Sequence, residues 1–163
     1  MSQLATFYVG SELFAIDVLI TKEIGKILEV SKVPGAQEFI LGLMNLRGQV
    51  VTIIDPCFFL DQVSNTPLEN KKLIIPKTEN DLDELRRNGI DITTALRKDP
   101  LAIVVDQIGD VIDINPEEIL PVPPNITGEK RDIVSGVVQL EKQLVIILAM
   151  DKLSEKCGAP NKV

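Results

Sequence analysis

The sequence of 163 residues contains no histidine and no tryptophan, and its only cysteines are Cys57 and Cys157. Without histidine the usual general base is missing, which excludes Ser-His and Cys-His nucleophiles and most zinc chemistry. The two cysteines have neither metal-ligand nor redox spacing, and we interpret Cys57 as a small buried hydrophobic residue. Only chemistry built from carboxylates remains open to an enzyme with this composition.

Long hydrophobic runs are also missing from the chain. The longest, Leu144 to Met150, is too short to span a bilayer, and the N-terminus lacks a basic start followed by an apolar segment. A formal net charge of −7 argues against nucleic acid or an anionic membrane as the main partner. We therefore expect a cytoplasmic protein, without direct membrane insertion, whose partners are proteins or small ligands.

Aromatic residues make up only 4% of the chain, against 45% hydrophobic residues, so the core must be mainly aliphatic. Most apolar residues fall in short runs bounded by Gly, Pro, Asn or Asp, which is typical of strands joined by turns. Such strands favour a closed or sandwiched fold over βαβ units. We predict an all-β protein with a few short helices.

The segment 42–55 predicts the β-hairpin around which the rest of the chain is organised. Two apolar runs flank Arg47 and Gly48, and Gly48 can take the positive φ that a tight turn requires. Both faces of the second strand are apolar, as Val50 and Val51 show, so we expect this hairpin to lie in a core. Arg47 is then at the tip.

The same pattern returns in the segment 135–148, which aligns with 41–54 without a gap. The identical positions are Gly42, Leu46, Gln49, Val51 and Ile53, matched by Gly136, Leu140, Gln143, Val145 and Ile147. The chain therefore looks like two related halves. At the second tip, Arg47 and Gly48 are replaced by Glu141 and Lys142, which indicates that the two tips do not share a role.

The run 33–42, followed by Asn45-Leu46-Arg47-Gly48 and Asp55, resembles the signature of the CheW-like family, the coupling proteins of bacterial chemotaxis. The segments 104–106 and 133–136 resemble later landmarks of that family. The resemblance spans nearly the whole chain and implies two small five-stranded SH3-like barrels packed side by side. It also implies a non-enzymatic scaffold, without a cofactor or metal, that joins chemoreceptor tips to the regulatory domain of a CheA-type histidine kinase.

The resemblance further implies a groove between the barrels that takes the helical hairpin of the receptor. The matching partner-binding positions are Thr21, Glu23, Gly42, Asn45, Arg47 and Gly48. An arginine on a rigid turn holds its donors in a fixed fork that suits a partner carboxylate. Glu23 matches a position beside the tip, so we predict a Glu23–Arg47 pair. The kinase-facing surface is expected mainly on the second barrel.

Polar residues at 61–70 mark the expected boundary between the halves, which gives a first barrel at 1–60 and a second at 71–150. The tail, 151–163, is predicted to form one helical turn and then fray. In the family pattern 77–100 is usually a short turn, so this segment is expected to be an insertion that contributes little to the core.

The inserted segment contains a predicted helix with Asn80 as its N-cap and Gly89 after its end. A second weak helix is predicted from Thr93 to Lys98, before Pro100. The acids of the first helix leave one alternative open, a carboxylate-based hydrolase or metal-binding protein. The chain has no EF-hand, Walker-type or dinucleotide motif. An adaptor of the same fold in another receptor–kinase pathway is the other alternative, and the sequence does not separate it from chemotaxis.

Overall fold

The structure is a computed structural model that describes residues 2–158. Turn residues divide this part of the chain into eleven strands and four short α-helices. In chain order the strands are β1 (Ser2–Val9), β2 (Glu12–Asp17), β3 (Thr21–Lys26), β4 (Val30–Ser31), β5 (Ile40–Leu46), β6 (Gln49–Ile54), β7 (Lys72–Pro76), β8 (Leu101–Val105), β9 (Gln107–Ile114), β10 (Val134–Gln139) and β11 (Leu144–Leu148). The helices are α1 (Cys57–Leu60), α2 (Glu79–Arg87), α3 (Gly128–Asp132) and α4 (Met150–Lys156). The predicted class, all-β with a few short helices, is confirmed.

The strands form two sheets, a five-stranded sheet in the order β10-β11-β2-β1-β9 and a six-stranded sheet in the order β3-β7-β8-β6-β5-β4. The structure differs in detail from two five-stranded barrels, because the described strands close neither sheet and β4 is a sixth strand. Apolar residues at 27–33 favour one longer strand, but β4 covers only two residues. Just before it, the Leu28 backbone N–H donates to the thioether of Met44 at 3.4 Å instead of joining a strand ladder.

The two sheets exchange strands between the halves of the chain. β1 and β2 belong to the five-stranded sheet, where β2 runs parallel to β11, while β7 and β8 belong to the six-stranded sheet, where β8 runs parallel to β6. The expected boundaries, 1–60 and 71–150, therefore do not follow the sheets. Local periodicity identifies a strand and its buried face, but it does not identify a distant strand as the partner.

The core consists of one cluster shared by both sheets and a smaller cluster inside each. β8 shows how they are connected, since successive side chains of a strand point to opposite faces. Leu101 and Ile103 pack in the shared cluster, whereas Ala102 and Val104 pack in the cluster of the six-stranded sheet. β8 is accordingly buried on both faces, which fixes the position of every strand that pairs with it.

Both repeated hairpins contain a glycine bulge at their base. The register of β5 against β6 shifts between Ile40 and Gly42, and that of β10 against β11 shifts between Val134 and Gly136. A Cβ atom at Gly42, where φ is 152°, would collide with a carbonyl of β4. A Cβ at Gly136 would lie 2.9 Å from the carbonyl oxygen of Leu120. Each glycine therefore allows a neighbouring segment to cross close to its hairpin.

Helix α2 begins two residues earlier than predicted. Thr78, not Asn80, is the N-cap, and it forms a capping box with Asp81 in which each side chain is bonded to the backbone N–H of the other residue. Gly89, with φ of 87°, follows the end of the helix as predicted. The second predicted helix, Thr93 to Lys98, is absent, because this part of the described chain has no regular structure.

The inserted segment is tied into the core, contrary to expectation. Leu82 is fully buried in the shared cluster, and Leu85 and Ile92 pack against it. The Arg86 guanidinium donates to the carbonyls of Ile92 and Thr94 at 3.0 and 2.6 Å, and these bonds fix the irregular chain after the helix. Because the inserted segment is polar along most of its length, its sequence does not indicate that Leu82 is fully buried.

The helix that follows each of the two repeated hairpins also fills the core. Helix α1 follows Pro56, and its Phe59 and Leu60 are buried in the shared cluster. The predicted single turn of the tail is the seven-residue helix α4, which buries Met150 and Leu153. The fraying expected at the end of the chain concerns residues 159–163, which lie outside the described residues.

Candidate functional site

The tip of the β5–β6 hairpin is a two-residue turn in which both residues have positive φ, 51° at Arg47 and 84° at Gly48. This is the type I′ geometry, which matches the twist of the flanking strands. The Asn45 side chain accepts a hydrogen bond from the Gly48 N–H at 2.9 Å, and Leu46 pairs with Gln49 below the turn. The predicted hairpin with Arg47 at its tip is therefore present, and its turn is held rigidly.

Arg47 is an unusual residue for its position. Type I′ turns favour Asn, Asp or Gly at the first central residue, since other side chains are strained at positive φ. The strain is on the order of 1 kcal/mol. Strained residues of this kind cluster at functional sites, where a particular side chain is required although it does not favour the turn.

Arg47 forms an ion pair with Glu23 of β3, the pair predicted from the sequence. Its side chain is 68% exposed, whereas that of Glu23 is 27% exposed. Exposed ion pairs stabilise a fold by at most about 1 kcal/mol. The contribution of Glu23 is to fix the direction of the guanidinium while most of its surface stays open to a partner.

A β-bulge in β3 places a second cation beside this pair. Thr21 pairs with Pro76 and Glu23 pairs with Ile75, so Lys22 is the extra residue of the bulge. A bulge changes the direction of side chains along its strand. Lys22 and Glu23 consequently line the same cavity although they are adjacent in sequence. Sequence reasoning missed Lys22, because a bulge leaves no periodic signal in a strand of six residues.

The cavity, which we call the hairpin notch, has a volume of about 200 Å³. Its charged lining consists of Lys22, Glu23 and Arg47. Its apolar lining includes Val51 and Ile75, which are buried side chains of β6 and β7. The hairpin notch therefore combines an aliphatic floor with a charged rim, a combination suited to protein recognition.

An apolar groove of about 530 Å³ lies along the other side of the hairpin and is lined by Leu28, Leu43 and Val50, among others. Leu28 is 54% exposed and Val50 is 57% exposed. Val50 corrects the expectation that the whole hairpin lies in a core, since the end of β6 next to the tip is open to solvent. Exposed aliphatic side chains grouped in this way commonly mark a binding surface.

The structure brings together most of the predicted partner-binding residues, but in different roles. Asn45, Arg47 and Gly48 form the tip, and Glu23 lies against it. The Thr21 hydroxyl donates to the carbonyl of Asp17 at 3.0 Å and so supports the start of β3. Gly42, the sixth predicted residue, is buried in the bulge of β5 at the far end of the hairpin. It shapes the hairpin and offers no contact surface.

The other reactive groups of the described chain have structural roles. Two acids of α2, Glu79 and Asp83, are engaged within the helix, where they bond to Arg86 at 3.0 and 2.8 Å. Burial, followed by the charge of Asp55, raises the pKa of Cys57 to about 11, and burial raises the pKa of Cys157 to about 11. Both thiols are therefore protonated, and unreactive, at neutral pH.

Residues 2–158 contain no group of three or more His, Cys, Asp or Glu side chains that could hold a metal ion. In the same part of the chain, no helix combines the length and the apolar character that crossing a membrane requires.

The family model described as CheW-like domain matches residues 3–157, nearly the full chain. The chain belongs to the CheW-like family. Among relatives, the chemotaxis protein CheW of Treponema pallidum (strain Nichols) is 30% identical over 151 residues, which are 93% of this chain and 81% of that protein. The chemotaxis protein CheW of Bacillus subtilis (strain 168) is 28% identical over 164 residues, covering 98% of this chain and 94% of that protein.

The fold agrees with this assignment. The crystal structure of the scaffolding protein TtCheW from Thermoanaerobacter tengcongensis superposes with a TM-score of 0.71 at 23% identity, covering 90% of this chain and 88% of that one. CheW-like proteins are coupling scaffolds and carry out no catalysis, so this member is not an enzyme. A protein of this kind acts through its contact surfaces, and the exposed hairpin tip is the best-defined candidate for one.

Proposed function

We propose that this protein couples the cytoplasmic signalling tips of chemoreceptors to the regulatory domain of a CheA-type histidine kinase. The observation that carries the proposal is Arg47, a strained and largely exposed arginine that the turn and Glu23 hold in one direction. A fold that needed only a tight turn would have Asn or Gly there. Membership of the CheW-like family supports receptor tips and a CheA-type kinase as the partners of such a side chain.

The receptor is expected to bind at the six-stranded sheet, with its helical hairpin packed against the β5–β6 tip. Helices bind grooves through apolar side chains spaced along one face, and polar groups at the rim fix their register. The hairpin notch and the apolar groove with Leu28 and Val50 flank the tip and offer both kinds of contact. This arrangement supports the receptor-binding role of Glu23, Asn45, Arg47 and Gly48.

The kinase regulatory domain is expected to bind the five-stranded sheet. Exposed aliphatic residues lie on this sheet as well, with Val111 on the edge strand β9, Leu144 on β11, and Leu120 in the segment that pairs with the opposite edge strand β10. Separate surfaces allow both partners to be held at once, which coupling requires. Since the receptor tips and the kinase meet on the inner side of the membrane, we expect the protein to work in the cytoplasm.

The proposal is tested by reconstituting the complex from purified parts. A receptor signalling-tip fragment is immobilised, and the kinase regulatory domain is passed over it with and without this protein. We expect the kinase domain to be retained only when the protein is present. Binding to neither partner, or competition between the two, would overturn the coupling role. Binding only to the components of another receptor–kinase pathway would instead favour an adaptor outside chemotaxis.

A further inference from the structure

The bulge in β3 has a consequence for the charge of the hairpin notch. Three charged side chains line the notch, and two of them, Lys22 and Arg47, are cations. The rest of the protein is acidic, with a formal net charge of −7. The lining of the hairpin notch therefore holds two cations and one acid, which makes it less acidic than the protein as a whole and a better place for an anionic group.

Each of the two cations is paired with an acid that is less exposed than itself. Lys22 lies 3.4 Å from Asp81 of α2, with side-chain exposures of 41% and 27%. Arg47 stands in the same relation to Glu23. In both pairs the cation is the more exposed partner, and one carboxylate does not use all of its donors. An ammonium has three donors and a guanidinium has five, so neither is saturated by one carboxylate.

We propose that Lys22 and Arg47 together bind one carboxylate side chain of the receptor tip in the hairpin notch, with the aliphatic part of that side chain on the floor formed by Val51 and Ile75. This inference rests on the proposed receptor-binding function and adds the chemistry of the partner residue, an aspartate or glutamate.

The test compares variants that remove one charge each in a titration of the protein with a recombinant receptor signalling-tip fragment. Lys22→Gln should weaken binding about tenfold, because it removes a charge-assisted hydrogen bond. Lys26→Gln is the matched control, since Lys26 is an exposed lysine of the same strand outside the notch, and it should leave the affinity unchanged. Equal affinities for the two variants would overturn the proposal.

Asp81→Asn separates partner binding from a purely structural role of Lys22. The asparagine oxygen can still accept the bond from the Thr78 N–H, so the helix cap is retained while the ion pair is lost. If Lys22 contacts the receptor, this variant should bind as tightly as the wild type or more tightly. Weakening equal to that of Lys22→Gln would show that Lys22 only anchors α2, which would overturn the proposal.

A double-mutant cycle with Arg47→Gln tests whether one carboxylate is shared. Two cations on the same carboxylate should give a double variant whose loss is clearly different from the product of the two single losses. Independent effects would contradict the shared contact. If Arg47→Gln weakens binding and Lys22→Gln does not, the inference fails while the proposed function stands. If neither variant matters, the receptor site proposed above is itself wrong.

Discussion

The two hairpins that repeat within the chain agree at their bases and differ at their tips. Both have a glycine bulge where another segment crosses, at Gly42 and at Gly136. The first tip is the two-residue turn with Arg47, whereas the second is a longer loop, 140–143, closed by a bond from the Leu140 N–H to the Gln143 carbonyl at 2.8 Å. The bases serve the fold, and only the first tip presents a side chain at the cost of strain.

The sharpest test of this difference is a charge reversal at both tips. Arg47→Glu should weaken receptor binding by roughly 3 kcal/mol, more than a hundredfold, since attraction to a partner carboxylate becomes repulsion. The fold should be nearly unaffected, because exposed ion pairs contribute at most about 1 kcal/mol. Binding titrations and melting curves of the same samples measure both effects.

Lys142→Glu is the control at the second tip and should change neither receptor binding nor stability. Equal loss of receptor binding in both variants would mean that overall charge, not the first tip, determines affinity. If Arg47→Glu unfolds the protein, the swapped variant Glu23→Arg with Arg47→Glu identifies the cause. Stability restored without binding requires both a structural pair and a charge that the partner recognises.

Substitution of the bulge glycine should destabilise the fold at the base of either hairpin, whereas the two tips should differ in their response to substitution. Gly42→Ala should destabilise the protein by about 3 kcal/mol, because it adds strain at a φ of 152° to a collision with β4. Gly136→Ala should cost about 2 kcal/mol, from the close approach of Ile119 and Leu120 without the strain of a positive φ. Denaturant unfolding measures both values. A neutral change at either glycine would show that this base is not a tight crossing.

The turn geometries can be compared through a β-branched residue. Gly48→Val should cost about 1–2 kcal/mol, because valine is strained at the φ of 84° that the turn requires. Lys142→Val should stay within about 0.5 kcal/mol, since Lys142 is not among the described residues with positive φ. Equal losses in thermal unfolding would mean that the two tips share one geometry after all.

The smallest expected effect is a gain in stability. Arg47→Asn should stabilise the protein by about 0.5 kcal/mol, because the relief of turn strain outweighs the loss of the exposed ion pair. Receptor binding should nevertheless decrease. Glu141→Asn, at the matching position of the second tip, should alter neither quantity. A less stable Arg47→Asn variant in chemical denaturation would indicate that the arginine is kept for the fold.

What the sequence allows one to predict is local. The turn at Gly48 follows from neighbouring residues, and the second hairpin follows from the internal repeat. The pair between Glu23 and Arg47 follows from the resemblance to the CheW-like family. The exchange of strands between the sheets does not, since Val145 of β11 and Leu13 of β2 pair across almost the entire chain. Contacts of that range depend on the whole fold, and no short pattern encodes them.

The parts of the site that were missed have similar causes. Lys22 is brought into the hairpin notch by a bulge, which breaks the alternation of β3 without any special residue. Leu82 looks like one apolar residue in a polar segment, yet it is fully buried. Val50 was expected to be buried because both faces of its strand are apolar, although it is exposed to solvent next to the tip. Each error comes from interpreting a residue type without its distant neighbours.

The exchange of strands also determines when the protein can complete its fold during synthesis. β1 and β2 leave the ribosome before β11, so β2 cannot acquire its parallel neighbour until β11 has been made. Sheets assembled from such distant segments form slowly, and their open edges are prone to aggregation while they wait. The hairpin of β1 and β2 therefore has an unpaired edge along β2 until β11 has been synthesised.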